Sequence, residues 1–117
     1  MILEEIKTKL EEIDPNVFYG AVNTSMRDMI WDYIVFHRTP TKINENKTVY
    51  NEYFSVNVIR ENFVPEDLYL TVIDKMLEIN GMRLSGSDIG YEYTVKPNTD
   101  TVVEMLSIEF MKPKKKV

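Results

Sequence analysis

Residues 48–60 constrain the fold more than any other part of the sequence, because hydrophobic and polar side chains alternate along them. One set of alternate positions carries Tyr50, Phe54, Val56 and Val58, and the other set carries Asn51, Tyr53, Ser55 and Asn57. Successive side chains of a β-strand point to opposite faces of the sheet. The pattern therefore predicts a long strand with one face packed on a core and the other open to solvent or to a partner.

Other segments have strand character. Residues 29–38 are rich in aromatic and β-branched side chains, and their near-continuous hydrophobicity predicts a central strand covered on both faces. Residues 17–22 form a shorter run, and residues 82–84 are a possible extra strand. Residues 89–95 and 102–111 alternate around the turn at Pro97 and Asp100, which predicts a hairpin.

Two segments have helical periodicity. Apolar residues recur at spacings of three and four along residues 1–13, and Asp14-Pro15 is expected to end this helix. A second helix is expected to begin near Pro65, since proline is tolerated in a first turn and Glu66 and Asp67 suit the positive end of the helix dipole. It should run to about residue 80, where Gly81 supplies a left-handed stop.

These segments predict an α+β fold with the order α-β-β-β-α-β-β. Strands that follow one another and are flanked by helices favour a mostly antiparallel sheet of four to five strands with two helices packed on it. The length of 117 residues suits one domain. We expect this single domain to span residues 1–111 and a basic C-terminal tail to occupy residues 112–117.

Charge and cysteine content narrow the possible functions. The net charge is −5, and the last six residues contain four lysines, so the body of the chain carries −9. An acidic body repels phosphate, which disfavours a dedicated nucleic-acid-binding domain. The absence of cysteine removes disulfides, thiolate zinc sites and thiol catalysis. With neither a signal-peptide layout nor a long apolar run, the sequence predicts a protein made and used in the cytoplasm, or in a particle assembled there.

Catalytic patterns are not found in the sequence. His37 is the sole histidine, and it lies in a predicted strand rather than beside a nucleophile motif. The glycines at 81, 86 and 90 lack the spacing and the following helix of a phosphate-binding loop. The acidic residues Glu61, Glu66, Asp67 and Asp74 straddle a helix start and do not form an ordered ligand loop. We therefore expect no enzyme activity, no cofactor and no metal.

Tyrosines and lysines are the candidate contact residues. Tyr50 and Tyr53 on one strand, and Tyr91 and Tyr93 on another, suit a protein interface, although packing between neighbouring strands explains them as well. The lysines of residues 112–116 form either a frayed solubilising tail or a contact with an acidic partner or with DNA passing through a channel.

The layout resembles that of the small tail-terminator, tail-completion and head–tail joining proteins of siphophages. The resemblance covers nearly the whole chain. It rests on the opening helix MILEEIKTKLEEI, the turn region 15–20, the strand 32–36 with Arg38, the alternating strand 50–59, and the last strand with its basic finish, 108–116.

The resemblance implies a hexameric ring that sits on the finished tail tube, stops tube polymerisation and joins the tail to the head connector. A related possibility places the ring on the connector side of the same joint. The implied partners are further copies of the chain, the tail tube protein and the head connector proteins, with DNA only as passing cargo and no membrane. The implied location is the neck of the virion, assembled in the bacterial cytoplasm.

The loop 39–47 and the basic tail are expected to make contacts between subunits or within the neck. The predicted interface residues are Tyr53, Arg60, Tyr91, Tyr93, Lys42, Lys47, Lys114 and Lys115. Changing Tyr53 or Arg60 to alanine is expected to leave folding intact and to weaken assembly.

Two other functions remain open. The chain could be a cytoplasmic adaptor or regulatory module that binds one protein partner through an exposed sheet face or edge. It could also be a small enzyme that uses Glu or Asp chemistry, which would require a pocket of carboxylates with strongly raised pKa values.

Overall fold

The alternating segment forms one of the long strands of a six-stranded sheet. The computed structural model describes residues 1–22, 31–43, 49–86 and 89–115. Within them the elements are α1 (Ile2–Glu11), β1 (Val17–Tyr19), β2 (Tyr33–Ile43), β3 (Val49–Glu61), α2 (Leu68–Leu77), β4 (Arg83–Leu84), β5 (Gly90–Val95) and β6 (Val102–Lys115).

The sheet has the strand order β1-β2-β3-β6, with β4 and β5 both paired to the far side of β6. β1 runs parallel to β2, and the remaining pairs are antiparallel. The predicted α+β class and element order are confirmed, and the possible extra strand at 82–84 is present as β4. The two-residue β4 brings the sheet to six strands.

One face of the sheet, which we call the helix face, carries the core. Phe54 and Phe110 lie directly opposite each other on β3 and β6, and both are fully buried. The helices supply Ile6 and Leu10 from α1, and Val72 and Met76 from α2. The strand residues of this core are Ile34, Phe36, Phe54, Val56, Val58, Leu106, Ile108 and Phe110.

The second helix is shorter than predicted. It begins at Leu68, because Leu68 N–H donates to the Pro65 carbonyl and Leu70 N–H to the Asp67 carbonyl, which makes the preceding residues a tight turn. It ends at Leu77, and Gly81 has a φ of +84° in the turn that leads to β4. This turn still contributes to the core through the buried Ile79 and Met82.

The prediction that residues 29–38 form a strand covered on both faces is wrong. The strand begins at Tyr33, and residues 29 and 30 lie outside the described part. Ile34 and Phe36 are buried on the helix face, whereas Val35 and His37 are only half-buried on the other face. The hydrophobic run is therefore buried mainly on one face.

The prediction of a loop at 39–47 is also wrong for residues 39–43, which continue β2; residues 44–48 lie outside the described part. The register of β2 against β3 shifts between Thr39 and Lys42, so a β-bulge contains Pro40. A bulge leaves its extra residue outside the hydrogen-bond ladder, and a proline without an N–H is therefore tolerated there.

The basic segment is not a frayed tail over residues 112–115, because β6 continues to Lys115 and remains paired with β3. Val102 O accepts a hydrogen bond from Asn62 on the β3 side, and Glu109 O accepts one from Ser85 on the β4 side. Since strand backbone groups alternate in direction, odd-numbered residues of β6 face away from β3. Pro113 therefore directs its nitrogen to the free edge of the sheet and costs no ladder hydrogen bond.

Residues 39–43 of β2, 49–52 of β3 and 112–115 of β6 extend the sheet beyond its helix-covered part. We call this three-stranded extension the arm. It helps to explain why the molecule measures 52 Å along its long axis and only 28 and 25 Å across.

Arg60 joins the first helix to the sheet through a buried ion pair. Its guanidinium lies 2.8 Å from the Asp14 carboxylate, and the two side chains are 15% and 6% exposed. Arg60 also donates to the Ile59 carbonyl at 3.0 Å, and Asp14 accepts the Asn16 N–H at 2.9 Å. The structure therefore does not place Arg60 on an accessible interface, and its ion pair argues against the expectation that Arg60→Ala leaves folding intact.

We predict that Arg60→Ala lowers the free energy of unfolding by about 3–5 kcal/mol, because it leaves the Asp14 carboxylate buried without its cation. Urea unfolding followed by circular dichroism measures this change. Arg38→Ala is the matched control: Arg38 is exposed, its Nε donates to the Tyr19 hydroxyl at 3.0 Å, and the expected loss is about 1 kcal/mol or less. Equal losses in the two variants would refute the structural role of the Asp14–Arg60 pair.

Candidate interaction surfaces

The face of the sheet opposite the helix face has no described helix packed on it, and we call it the open face. Its centre is polar and ordered: Ser107 Oγ donates to Asn57 Oδ1 at 2.7 Å, and Asn57 Nδ2 donates to the Val35 carbonyl at 3.3 Å. Three adjacent strands are thus cross-linked by one amide side chain. The predicted interface residue Tyr53 lies on this face, half-buried, opposite Thr39 on β2 and Met111 on β6.

A shallow apolar groove of about 200 Å³ lies at one end of the open face. Ile59 and Val103 are buried in it at 7% and 3% exposure, although neither belongs to the main core cluster. The groove is lined by Trp31, Tyr33, Ile59, Glu92, Tyr93, Thr94, Val103 and Met105. Burial raises the pKa of Tyr33, and its ring packs edge-on against Phe18 at 6.0 Å.

Glu61 fixes Trp31 at the end of the groove. The Trp31 backbone N–H donates to Glu61 Oε2 at 2.6 Å, and Lys96 Nζ lies 3.2 Å from the same oxygen. The Lys96 ammonium also sits 5.9 Å from the centre of the Trp31 ring. The Trp31 hydrogen bond, supported by Lys96, holds the pKa of Glu61 below its ordinary value.

The predicted interface tyrosines Tyr91 and Tyr93 lie on β5, on the edge of the sheet. Every residue of β5 is exposed, and Tyr93 is 64% exposed. Tyr93 lies opposite Glu104 and hydrogen-bonds to its carboxylate, which raises the pKa of Tyr93. Glu104 also accepts a hydrogen bond from the Val64 N–H at 2.7 Å. Glu104 therefore holds the Tyr93 side chain in place, while the edge of β5 that faces away from β6 stays exposed.

Three of the predicted lysines lie in the strands of the arm. Lys114 is exposed on β6, Lys115 ends β6, and Lys42 lies in β2 opposite Asn51. Lys47 lies outside the described residues. The seven of these residues that the structure describes therefore do not form one surface: Lys42, Lys114 and Lys115 belong to the arm, Tyr53 to the open face, Tyr91 and Tyr93 to the β5 edge, and Arg60 to the ion pair with Asp14.

His37 is half-buried on the open face, with its Nδ1 3.3 Å from the Arg38 carbonyl oxygen. In residues 1–22, 31–43, 49–86 and 89–115, no three His, Cys, Asp or Glu side chains gather in a way that could hold a metal ion. Over the same ranges, neither helix has the length and apolar character needed to cross a bilayer.

Sequence reasoning missed the groove and the Asp14–Arg60 pair. Ile59 and Met105 continue the alternation on the polar face, and these apolar residues were the available signal for a second apolar site. The ion pair joins residues far apart in the chain, and no local pattern indicates it.

No protein-family model matches the sequence, and the comparison with curated proteins gives no match.

We predict that Glu61 makes the groove sensitive to acid. Because its folded-state pKa lies below the ordinary value of 4.5, its stabilising contribution is complete above that value and is lost as the pH falls through the folded-state pKa. The melting temperature of the wild type should therefore fall more steeply below about pH 5 than that of Glu61→Gln.

The fluorescence of Trp31, the single tryptophan, should change over the same pH range in the wild type. Glu66→Gln is the control, because Glu66 is exposed and lies outside the groove. Parallel pH profiles for the wild type and Glu61→Gln would contradict the prediction.

Proposed function

We propose that this chain is a tail-terminator or tail-completion protein of a long-tailed phage. It caps the finished tail tube as a ring and joins the tail to the head connector. The resemblance along the sequence supports this function, and the structural observation that carries it is the arm.

The arm has no described helix behind it. Its strands continue the ladder of β2, β3 and β6, while the buried core ends at Phe54 and Phe110. A short ribbon of strands without an apolar backing is marginal on its own and gains stability when another surface covers it. The arm is therefore shaped to lie against a neighbouring molecule.

The positive charge of the arm favours contact with an acidic surface. By sequence it contains four lysines and one glutamate and carries +3, while the remainder of the chain carries −8. The opposite end of β3 and β6 is acidic: residues 31–32, 60–67 and 92–104 contain seven acidic and two basic residues. A head-to-tail contact between copies brings the arm of one against the acidic end of the next.

Repeated head-to-tail contacts are heterologous, and such contacts close a ring when the rotation between copies divides a full turn. The acidic remainder of each subunit then gives the ring a negative charge, which lets DNA pass without binding. In this function the other partners are the tail tube protein and the head connector, and the site of action is the neck of the virion.

A second candidate function is an adaptor that binds one protein partner. The apolar groove on the open face and the exposed edge of β5 favour it, because extended peptides commonly bind by adding a strand to a free edge. An adaptor of this kind needs neither a ring nor the arm.

Light scattering over a wide concentration range, with negative-stain images of the same samples, tests the proposal. The protein should form six-fold rings with an open channel, alone or on isolated tail tubes. Absence of rings under both conditions, together with no binding to tubes or connectors, would overturn the tail-neck function and leave the adaptor.

We predict that Lys114→Glu raises the concentration needed for ring or tube assembly at least about tenfold, equivalent to about 1.4 kcal/mol. The substitution places an acid on the arm, where it would face the acidic end of a neighbour. Lys7→Glu makes the same charge change at an exposed position of α1 and should alter assembly less than about twofold. Similar losses in both variants would show that total charge, and not the arm, governs assembly.

A further inference from the structure

The described sheet has free edges that differ in how they are protected. β1 offers only three residues. The edge of β6 along the arm carries Pro113 and lies in a segment rich in lysine, and both residue types discourage pairing with another strand. β5 offers six residues, all exposed, and contains neither proline nor lysine. It is therefore the edge best suited to accept another strand.

The direction of the backbone groups on β5 follows from its hydrogen bonds to β6. Lys96 N–H donates to the Thr101 carbonyl at 2.9 Å, in register with the pairs of β5 and β6. Because backbone groups alternate in an antiparallel ladder, even-numbered residues bond towards β6. Tyr91, Tyr93 and Val95 therefore direct their N–H and C=O groups outwards, away from the sheet.

We propose that β5 pairs with β5 of a second copy, antiparallel, about a two-fold axis that passes through Tyr93. A two-fold axis perpendicular to the sheet keeps each residue on its own face, so a residue at the axis must lie opposite itself. With Tyr93 at the axis, Tyr91 lies opposite Val95 of the second copy, and Glu92 lies opposite Thr94.

In this register every outward-facing N–H and C=O group of β5 bonds to the second copy, which gives about six hydrogen bonds between the chains. It covers Tyr91, Tyr93 and Val95, which are 43%, 64% and 54% exposed. Aromatic residues opposite aromatic or β-branched residues are favourable cross-strand pairs. No two like charges lie directly opposite each other.

Neighbouring registers are poorer. An axis through Glu92 places two carboxylates opposite each other, which is destabilising. An axis through Thr94 places Tyr91 opposite Pro97, which has no N–H to donate. Self-complementarity in a single register favours a second copy of this chain as the occupant of the edge.

This pairing goes beyond the proposed function and does not depend on it. A two-fold contact closes on itself as a dimer of the free chain, whereas the ring requires head-to-tail contacts through the arm. The two proposals are tested separately, because the β5 variants are scored by dimerisation of the free chain and Lys114→Glu by ring or tube assembly.

Cysteine substitutions test the register, and the chain contains no cysteine of its own. In a hydrogen-bonded antiparallel pair the two Cα atoms lie about 5.5 Å apart, which is within the range that a disulfide spans. Tyr93→Cys should therefore oxidise to a covalent dimer. Thr94→Cys should remain monomeric under denaturing, non-reducing conditions, because position 94 faces position 92 of the second copy.

Sedimentation equilibrium tests the contact without a cross-link. The wild type should dimerise reversibly, and Tyr93→Lys, which places two lysines opposite each other, should weaken the dimer at least tenfold. Thr94→Lys is the matched control, since its lysine faces Glu92 of the second copy and should preserve or tighten the dimer. Melting temperatures confirm that both variants fold.

The proposal is overturned if the wild type stays monomeric to about 1 mM, equivalent to about 4 kcal/mol of association free energy. It is also overturned if Thr94→Cys cross-links as fast as Tyr93→Cys, or if the two lysine variants dissociate equally.

Discussion

The antiparallel pairing of β3 with β6 determines most of this structure. It runs without a bulge from the pair Val49–Lys115 to the pair Glu61–Val103. A slip of one residue would move every side chain of one strand to the opposite face, exchanging the phenylalanine pair of the core for residues of the open face. The same ladder continues past the core as the arm at one end and lines the groove at the other. The core, the arm and the groove are thus all positioned by the same register between β3 and β6.

The sequence predicts these strands well, because their pattern is local. The alternation around Phe54 and around Ile108 identified the buried residues correctly, and helical spacing did so for Ile6 and Leu10. The predicted loop at 39–47 and the predicted tail at 112–117 contain Pro40 and Pro113, and the structure accommodates both prolines in strands. Pro40 lies in a bulge, and Pro113 directs its nitrogen to the free edge. Arg60 was misplaced because its partner Asp14 lies far away in the sequence.

The sequence predicted the candidate contact residues from their residue types. The fold was needed to learn which of them lie on the same surface. Exposed tyrosines favour an interface wherever they occur, but residue type does not tell which of the candidate residues share a surface. The structure separates Tyr53, the β5 tyrosines and the arm lysines onto three surfaces. The fold also shows which strand edges are protected. An edge that carries proline and lysine is kept from pairing with another strand, whereas an edge without them is available for pairing.

The arm also determines how stability is distributed through the molecule. Backbone amides in the core are protected by the apolar residues behind them, so they exchange with solvent only when much of the domain opens. The arm amides have ladder hydrogen bonds and no comparable backing, so they open at a lower free energy while the core stays folded. Binding that covers the arm is therefore expected to slow hydrogen exchange there first, and in the proposed ring the ordering of the arm would be coupled to assembly.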